Sequence, residues 1–257
     1  MMRVSLLITC LADLFQPEVG VASVQLLRAA GCDVSVPLAQ TCCGQPAWNS
    51  GFADEAAKVA RTTLAALEDD HADAVVVPAG SCATMVRVFW PELFEVVGDH
   101  TSRDRAIALG KRTFELSEFL ATRHLPLSDA EPMEVAYHRS CHMLRELGIA
   151  EQPEQLLASA GCSSSEWPDA ARCCGFGGLF SVKLPETSVA MADEKLDTLP
   201  ADATCLVGSD GSCLMHLRAR LEERGSTVRV RHLAEVLAER LDAPGHGAER
   251  QEERHGA

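Results

Sequence analysis

Short apolar runs alternate with amphipathic stretches along this chain of 257 residues. Apolar and β-branched runs predict strands at residues 4–9, 74–77, 134–138 and 204–207. Stretches with helical periodicity predict helices at residues 18–30, 54–67, 154–160 and 186–196. Because strands that alternate with helices form parallel sheets, we expect an α/β fold.

The pattern changes in the middle and at the end of the chain. A helical pattern over residues 103–124 leads into a proline-containing stretch, where we expect the chain to divide. A strand at residues 228–230 and a helix at residues 233–241 are expected to close the second part. The predicted units are a first half at residues 1–125, a second half at residues 133–242 and a disordered tail at residues 243–257.

Cysteine recurs at the same spacing in both parts of the chain. Each part reads C-x31-C-C-G-x37-C, and Cys42 and Cys173 lie 131 positions apart (173 minus 42). The cysteines that obey this repeat are Cys10, Cys42, Cys43, Cys82, Cys141, Cys173, Cys174 and Cys213. Chance does not account for four cysteines at one offset, so we infer an internal duplication. We expect two pseudo-symmetric halves, each with a small parallel sheet flanked by helices and one cysteine site.

Composition narrows the classes of partner and compartment. The formal net charge of −14 disfavours binding to nucleic acid, which depends on clustered Lys and Arg. No apolar run has the roughly 18 residues that suggest a membrane span. The chain has eleven cysteines and lacks the pattern of a secretory signal. An extracellular disulfide framework is therefore disfavoured, because an odd number of cysteines cannot all pair. We therefore expect a cytoplasmic protein whose clustered cysteines bind metal.

Four thiolates in each half match the ligand number of a [4Fe-4S] cluster. Soft sulfur ligands select zinc, copper(I) or iron-sulfur chemistry over hard cations. Two adjacent cysteines diverge and suit separate irons of one cluster, whereas zinc sites usually present a C-x2-C pair, which neither half has. We therefore expect the eight repeated cysteines to hold two iron-sulfur clusters of the [4Fe-4S] type, one in each half, with zinc as the alternative.

Residues beside the repeated cysteines have expected roles of their own. Ser81 and Ser212 are predicted to cap helices that begin at the cysteine that follows each of them. His138 and His142 flank Cys141, where they could tune or ligate a cluster, and the favoured prediction is that they are hydrogen-bonded structural histidines. The three cysteines outside the repeat are predicted to be core residues, and these are Cys32, Cys162 and Cys205.

Several segments resemble a known family. They are VSLLITCL at residues 4–11, TCCGQPA at 41–47, GSC at 80–82, SCHM at 140–143, CCGFGG at 173–178 and CLM at 213–215. The chain is similar to the CCG cysteine-rich domain proteins, typified by the cysteine-rich component of heterodisulfide reductase and the iron-sulfur component of glycolate oxidase. Spread over both halves, these segments cover nearly the whole chain apart from its end.

The resemblance implies an electron-transfer subunit of a complex that oxidises a 2-hydroxy acid. The expected reaction is the oxidation of L-lactate to pyruvate. The expected partners are companion iron-sulfur and accessory subunits. Because the sequence carries no flavin or nicotinamide fingerprint, the hydroxy-acid site is expected on a partner, and the chain is not expected to be a complete enzyme alone. Two alternatives stay open, a heterodisulfide or thiol reductase subunit and a zinc-stabilised scaffold protein.

The chain departs from the fuller family pattern at one position in each half. That pattern ends in C-x2-C and supplies five cysteines, a set associated with a non-cubane cluster. Ala79 and Asp210 occupy the first position of that pair here. The departure favours a cubane cluster, or a site with one non-cysteine ligand such as Asp210, with Cys205 as a further candidate in the second half.

Overall fold

Two four-stranded parallel sheets organise the chain. The computed structural model describes residues 1–128 and 130–242, so the predicted tail at residues 243–257 lies outside the described residues. The strands are β1 Met2–Leu6, β2 Cys32–Ser35, β3 Ala74–Val77, β4 Thr113–Glu115, β5 Met133–His138, β6 Cys162–Ser164, β7 Cys205–Gly208 and β8 Arg229–His232. Their order is β2-β1-β3-β4 in one sheet and β6-β5-β7-β8 in the other. The expectation of an α/β fold with duplicated halves is confirmed.

Helices connect successive strands. They are α1 Cys10–Phe15, α2 Pro17–Ala29, α3 Gln45–Trp48, α4 Ala53–Asp69, α5 Gly80–Thr84, α6 Trp90–Val96, α7 His100–Gly110, α8 Leu116–Leu120, α9 Cys141–Arg145, α10 Gln152–Ser159, α11 Leu179–Lys183, α12 Pro185–Leu196, α13 Gly211–Glu223 and α14 Leu233–Ala238. A π-helical turn at Met85–Phe89 joins α5 to α6. None of the helices in the described part of the chain has the length and apolar character needed to cross a bilayer.

The predicted helix over residues 103–124 is wrong in its middle. The chain forms α7 only as far as Gly110, then β4, and then α8. Strand β4 pairs in parallel with β3, where Val76 faces Phe114. Three residues carry too little local signal to predict a strand, and the pairing with β3 stabilises them in extended form.

Strand order explains why distant cysteines meet. In the first half, β1 and β3 are the two central strands of the sheet. The chain passes from β1 to the edge strand β2 on one side, and from β3 to the edge strand β4 on the other side. The second half has the equivalent order. Such a reversal opens a crevice beyond the carboxyl ends of the two central strands. Cys10 follows β1 and Cys82 follows β3, while Cys141 and Cys213 follow the equivalent strands β5 and β7.

The two halves share a hydrophobic core. Helix α2 packs against α14, and the buried residues Leu26 and Leu237 belong to the same apolar cluster. This cluster also contains the three cysteines outside the repeat, Cys32, Cys162 and Cys205. Their predicted role as core residues is confirmed, and burial raises the pKa of the Cys205 thiol to about 11. The domain limits at residues 1–125 and 133–242 stay a prediction.

His232 links the second half to the loop after β3 of the first half. Its Nδ1 accepts a hydrogen bond from the backbone N–H of Ala234 at 3.1 Å, which caps α14. Its Nε2 lies 3.1 Å from the Pro78 carbonyl oxygen, and because a carbonyl only accepts, Nε2–H is the donor. The ring is buried, and burial lowers its pKa to about 4.

This depressed pKa predicts acid sensitivity. Between pH 6.5 and about pH 4, His232 is protonated in the unfolded chain and stays neutral in the folded chain. The free energy of unfolding is therefore expected to fall across this window, by about 3 kcal/mol from this residue. Urea unfolding at pH 7, 6, 5 and 4 should show a smaller fall for His232→Asn, which retains a capping acceptor, than for the wild type. The exposed His124→Asn is the control, and an unchanged pH slope in His232→Asn would contradict the assignment.

Candidate metal centre

The four repeated cysteines of the first half converge. We call Cys10, Cys42, Cys43 and Cys82 the first cysteine group. The Sγ atoms of Cys10 and Cys42 lie 3.3 Å apart, and those of Cys43 and Cys82 lie 3.2 Å apart. Hydrogen bonds from the Cys10 and Cys43 thiols lower the pKa of Cys42 to about 3, and the pKa of each donor thiol is raised. Sulfurs this close are not all ionised without a cation, so the geometry suits a shared metal centre.

The second half repeats this arrangement. We call Cys141, Cys173, Cys174 and Cys213 the second cysteine group. Hydrogen bonds from the Cys141 and Cys174 thiols lower the pKa of Cys173 to about 2. The Sγ atoms of Cys174 and Cys213 lie within 4.8 Å of each other. All eight cysteines predicted as ligands are therefore brought together in two groups of four.

The glycine after each cysteine pair allows the chain to turn around the sulfurs. Gly44 and Gly175 have φ of +89° and +86°, a conformation that disfavours residues with a side chain. The N–H of each donates to a cysteine sulfur at 3.4 Å, to Cys42 in one half and Cys173 in the other. Backbone N–H groups aimed at sulfur stabilise its anionic form, which is the form that binds metal.

Both cysteine groups line one cavity of about 190 Å³. The cavity lies where the crevices of the two sheets face each other, and residues of both halves form its wall. A family model for a cysteine-rich domain, CCG, matches the chain twice, at residues 4–87 and 135–218. Each match contains one complete cysteine group. This chain belongs to the CCG cysteine-rich domain family.

Relatives of this CCG protein match over nearly the whole chain. Lactate utilization protein A of Exiguobacterium sp. AT1b is 44% identical over 244 residues, which cover 93% of this chain and 98% of the relative. Lactate utilization protein A 2 of Bacillus cereus 03BB102 is 42% identical over 94% of this chain and 100% of its own length. Lactate utilization protein A of Geobacillus sp. WCH70 is 43% identical over 93% and 100%, respectively. The expected family membership is confirmed, and a CCG domain is consistent with a metal or an iron-sulfur cluster.

The two halves of the CCG protein contact each other at the cavity through hydrogen bonds and close packing. Asp210 Oδ2 accepts a hydrogen bond of 2.8 Å from the backbone N–H of Ser81 at the start of α5 in the other half. The N–H of Gly80 donates to the Ser209 carbonyl at 3.2 Å. A Cβ on Gly80 would lie 2.7 Å from the Cβ of Met143 in the second half. The glycine of the repeated Gly-Ser-Cys motif is thus required by the close approach of the two halves.

The predicted capping role of the two serines is wrong. Helices α5 and α13 begin at Gly80 and Gly211, one residue before Ser81 and Ser212, and the residue before each helix makes no side-chain capping bond to that helix. The hydroxyl of Ser212 instead donates to Asp210 Oδ1 at 2.7 Å. The same carboxylate bonds to both halves, which local sequence cannot indicate.

The candidates for a fifth ligand occupy different places. Asp210 lines the cavity, but its two oxygens already accept hydrogen bonds from Ser81 and Ser212. Cys205 lies in the core shared by the halves and is absent from the described residues that line the cavity. The Nδ1 of His142 lies 3.9 Å from the Cys141 Sγ at the cavity wall. His138 is buried within 4.8 Å of two sulfurs of the second cysteine group and has no hydrogen-bonded ring nitrogen among the described residues, contrary to its predicted structural role.

Different side chains secure the cysteine loops in the two halves. In the first half, Trp90 Nε1 donates to the Cys43 carbonyl at 2.8 Å. In the second half, Ser188 Oγ donates to the Gly175 carbonyl at 2.7 Å, and the fully buried Lys195 donates to the Ala170 carbonyl at 2.9 Å. Sequence reasoning missed Lys195. The available signal was a mismatch in the repeat, because the position 131 residues earlier is Leu64.

Proposed function

We propose that this protein is the iron-sulfur electron-transfer subunit of a cytoplasmic complex that oxidises a 2-hydroxy acid, L-lactate to pyruvate. The observation that carries the proposal is the convergence of two groups of four cysteines on one cavity. The names of the relatives, lactate utilization protein A, support the choice of lactate. Companion iron-sulfur and accessory subunits are the proposed partners.

The proposed ligands are the eight cysteines of the two groups, four for each of two [4Fe-4S] clusters. Such clusters supply one-electron redox chemistry when bound. The chain contributes cysteine sulfurs, half of them buried, and the N–H groups of Gly44 and Gly175 that stabilise the anionic form of sulfur. Oxidation of a 2-hydroxy acid to a 2-oxo acid releases two electrons and two protons, so two one-electron sites in one subunit match the electron count.

Metal and sulfide analysis of anaerobically purified protein tests this proposal. We expect about eight iron and eight sulfide per chain, the content of two [4Fe-4S] clusters. Cys43→Ala and Cys174→Ala should each remove about half of the iron and one of two electron paramagnetic resonance signals. Cys32→Ala, which removes a buried cysteine of the shared core, is the matched control and should retain all the iron.

Other outcomes would overturn the proposal. About two zinc per chain without sulfide would identify a zinc-stabilised scaffold instead. Turnover of a disulfide substrate by the reduced protein, with no electron transfer from lactate in the reconstituted complex, would identify a thiol reductase subunit. Full iron content in both Cys43→Ala and Cys174→Ala would show that the ligand assignment is wrong.

A further inference from the structure

The two cysteine groups have unlike surroundings. With an offset of 131 positions, Leu7 of the first half corresponds to His138 of the second, and Leu64 corresponds to Lys195. Leu7 and Leu64 are buried in the apolar cluster that contains Cys43 and Cys82. His138 and Lys195 are buried as well, with 1% and 0% of their surface exposed. The duplicated fold therefore places polar groups beside only the second cysteine group at these two positions.

His138 is oriented toward the second cysteine group. It is the last residue of β5, three positions before Cys141. A ring nitrogen and the Sγ atoms of Cys174 and Cys213 all lie within 4.8 Å of one another. Neither ring nitrogen has a hydrogen-bond partner of normal geometry among the described residues. A buried imidazole without partners is costly, and a bound ion or a chemical role is among the explanations for such a group in a native structure.

His232 shows what a structural histidine looks like in the same chain. Both of its ring nitrogens are satisfied, one by the Ala234 N–H and the other by the Pro78 carbonyl. His138 has the same burial without those bonds. A ring nitrogen that no hydrogen bond occupies can donate its lone pair to a metal when the imidazole is neutral.

We propose that His138 is a fifth donor of the second site, alongside Cys141, Cys173, Cys174 and Cys213. This inference rests on the proposed function. The first site then offers four sulfurs, and the second offers four sulfurs and one imidazole nitrogen. Imidazole is a ligand for iron as well as for zinc, so this donor set suits a transition-metal centre.

The two sites are consequently expected to differ in reduction potential. Lys195 adds a buried positive charge close enough to act on Cys173, Cys174 and Cys213. A nearby cation favours the more negative, reduced state of a cluster and so raises its reduction potential. The second site should therefore be reduced at the higher potential of the two.

Pulsed electron paramagnetic resonance of each site in isolation tests this proposal. Cys43→Ala leaves the second site intact and Cys174→Ala leaves the first, so each variant isolates one signal. With histidine labelled by ¹⁵N, the signal in Cys43→Ala should show a histidine nitrogen coupling, and the signal in Cys174→Ala should show none. His138→Leu, which copies Leu7, should abolish the coupling. His142→Gln is the matched control and should leave the coupling unchanged.

The outcomes separate this proposal from the proposed function. An iron-sulfur signal in Cys43→Ala without histidine nitrogen coupling would overturn the role of His138 and leave the function intact. Protein with zinc and no sulfide would overturn the function, and X-ray absorption of zinc in Cys43→Ala would then decide the donor set. A nitrogen ligand in the zinc coordination shell that is lost in His138→Leu supports the proposal. A zinc shell that contains only sulfur ligands overturns it. The labelled measurement in Cys43→Ala applies even if His138→Leu does not fold.

Discussion

Gly175→Ala is expected to lower the free energy of unfolding by about 2–5 kcal/mol and to empty the second site. Two effects add here. Gly175 has φ of +86°, and a Cβ at this position would lie 2.5 Å from the Ser188 carbonyl oxygen. That carbonyl is backbone of α12, so a side-chain rotation cannot relieve the contact. Urea unfolding under anaerobic conditions measures the first effect, and metal content measures the second.

Gly51→Ala separates the effect of backbone strain from the effect of the Cβ contact. Gly51 has φ of +83°, almost the same as Gly175, and a Cβ there meets no heavy atom within 4 Å. Its substitution should cost only the backbone strain, about 1–2 kcal/mol, and should leave the metal content unchanged. Equal losses in Gly51→Ala and Gly175→Ala would show that the contact with Ser188 is unimportant.

Asp210→Ala is expected to lower the free energy of unfolding by about 2–4 kcal/mol, because hydrogen bonds to a charged group are worth about 1.5–3 kcal/mol each. The substitution removes the acceptor of the Ser81 N–H and of the Ser212 hydroxyl. It also removes a side chain that joins the two halves at the cavity. Chemical unfolding of the protein gives the free energy, and the metal retained by each site reports the local effect.

Two controls divide the contribution of Asp210. Ser212→Ala removes only the hydrogen bond within the second half and should cost about 1 kcal/mol. Asp210→Asn retains one oxygen as an acceptor for the Ser81 N–H and should have an intermediate effect. If Asp210→Ala were no worse than Ser212→Ala, the bond across the two halves would contribute nothing measurable to stability.

The central strands of each sheet and the placement of the repeated cysteines could be predicted from sequence. Strand β3 occupies the predicted residues 74–77, and the cysteines follow the carboxyl ends of the central strands as expected. The edge strands β2 and β6 were not predicted, because four and three residues with few apolar side chains carry little signal. Strand β4 was predicted as helix, because helical periodicity continued across a segment whose extended form depends on β3.

The amino-acid sequence by itself determined the duplication, because the offset between repeated cysteines is a property of covalent order. It also determined the candidate chemistry, since eight cysteines at repeated spacings predict sulfur ligands beyond the ends of the strands. Only the tertiary structure decided that both cysteine groups open into one cavity. It also decided that Asp210 bonds to Ser81, 129 positions away, and that His138 is left without partners beside two sulfurs. These contacts depend on how two separately patterned halves pack against each other, and no local pattern of residues encodes that packing.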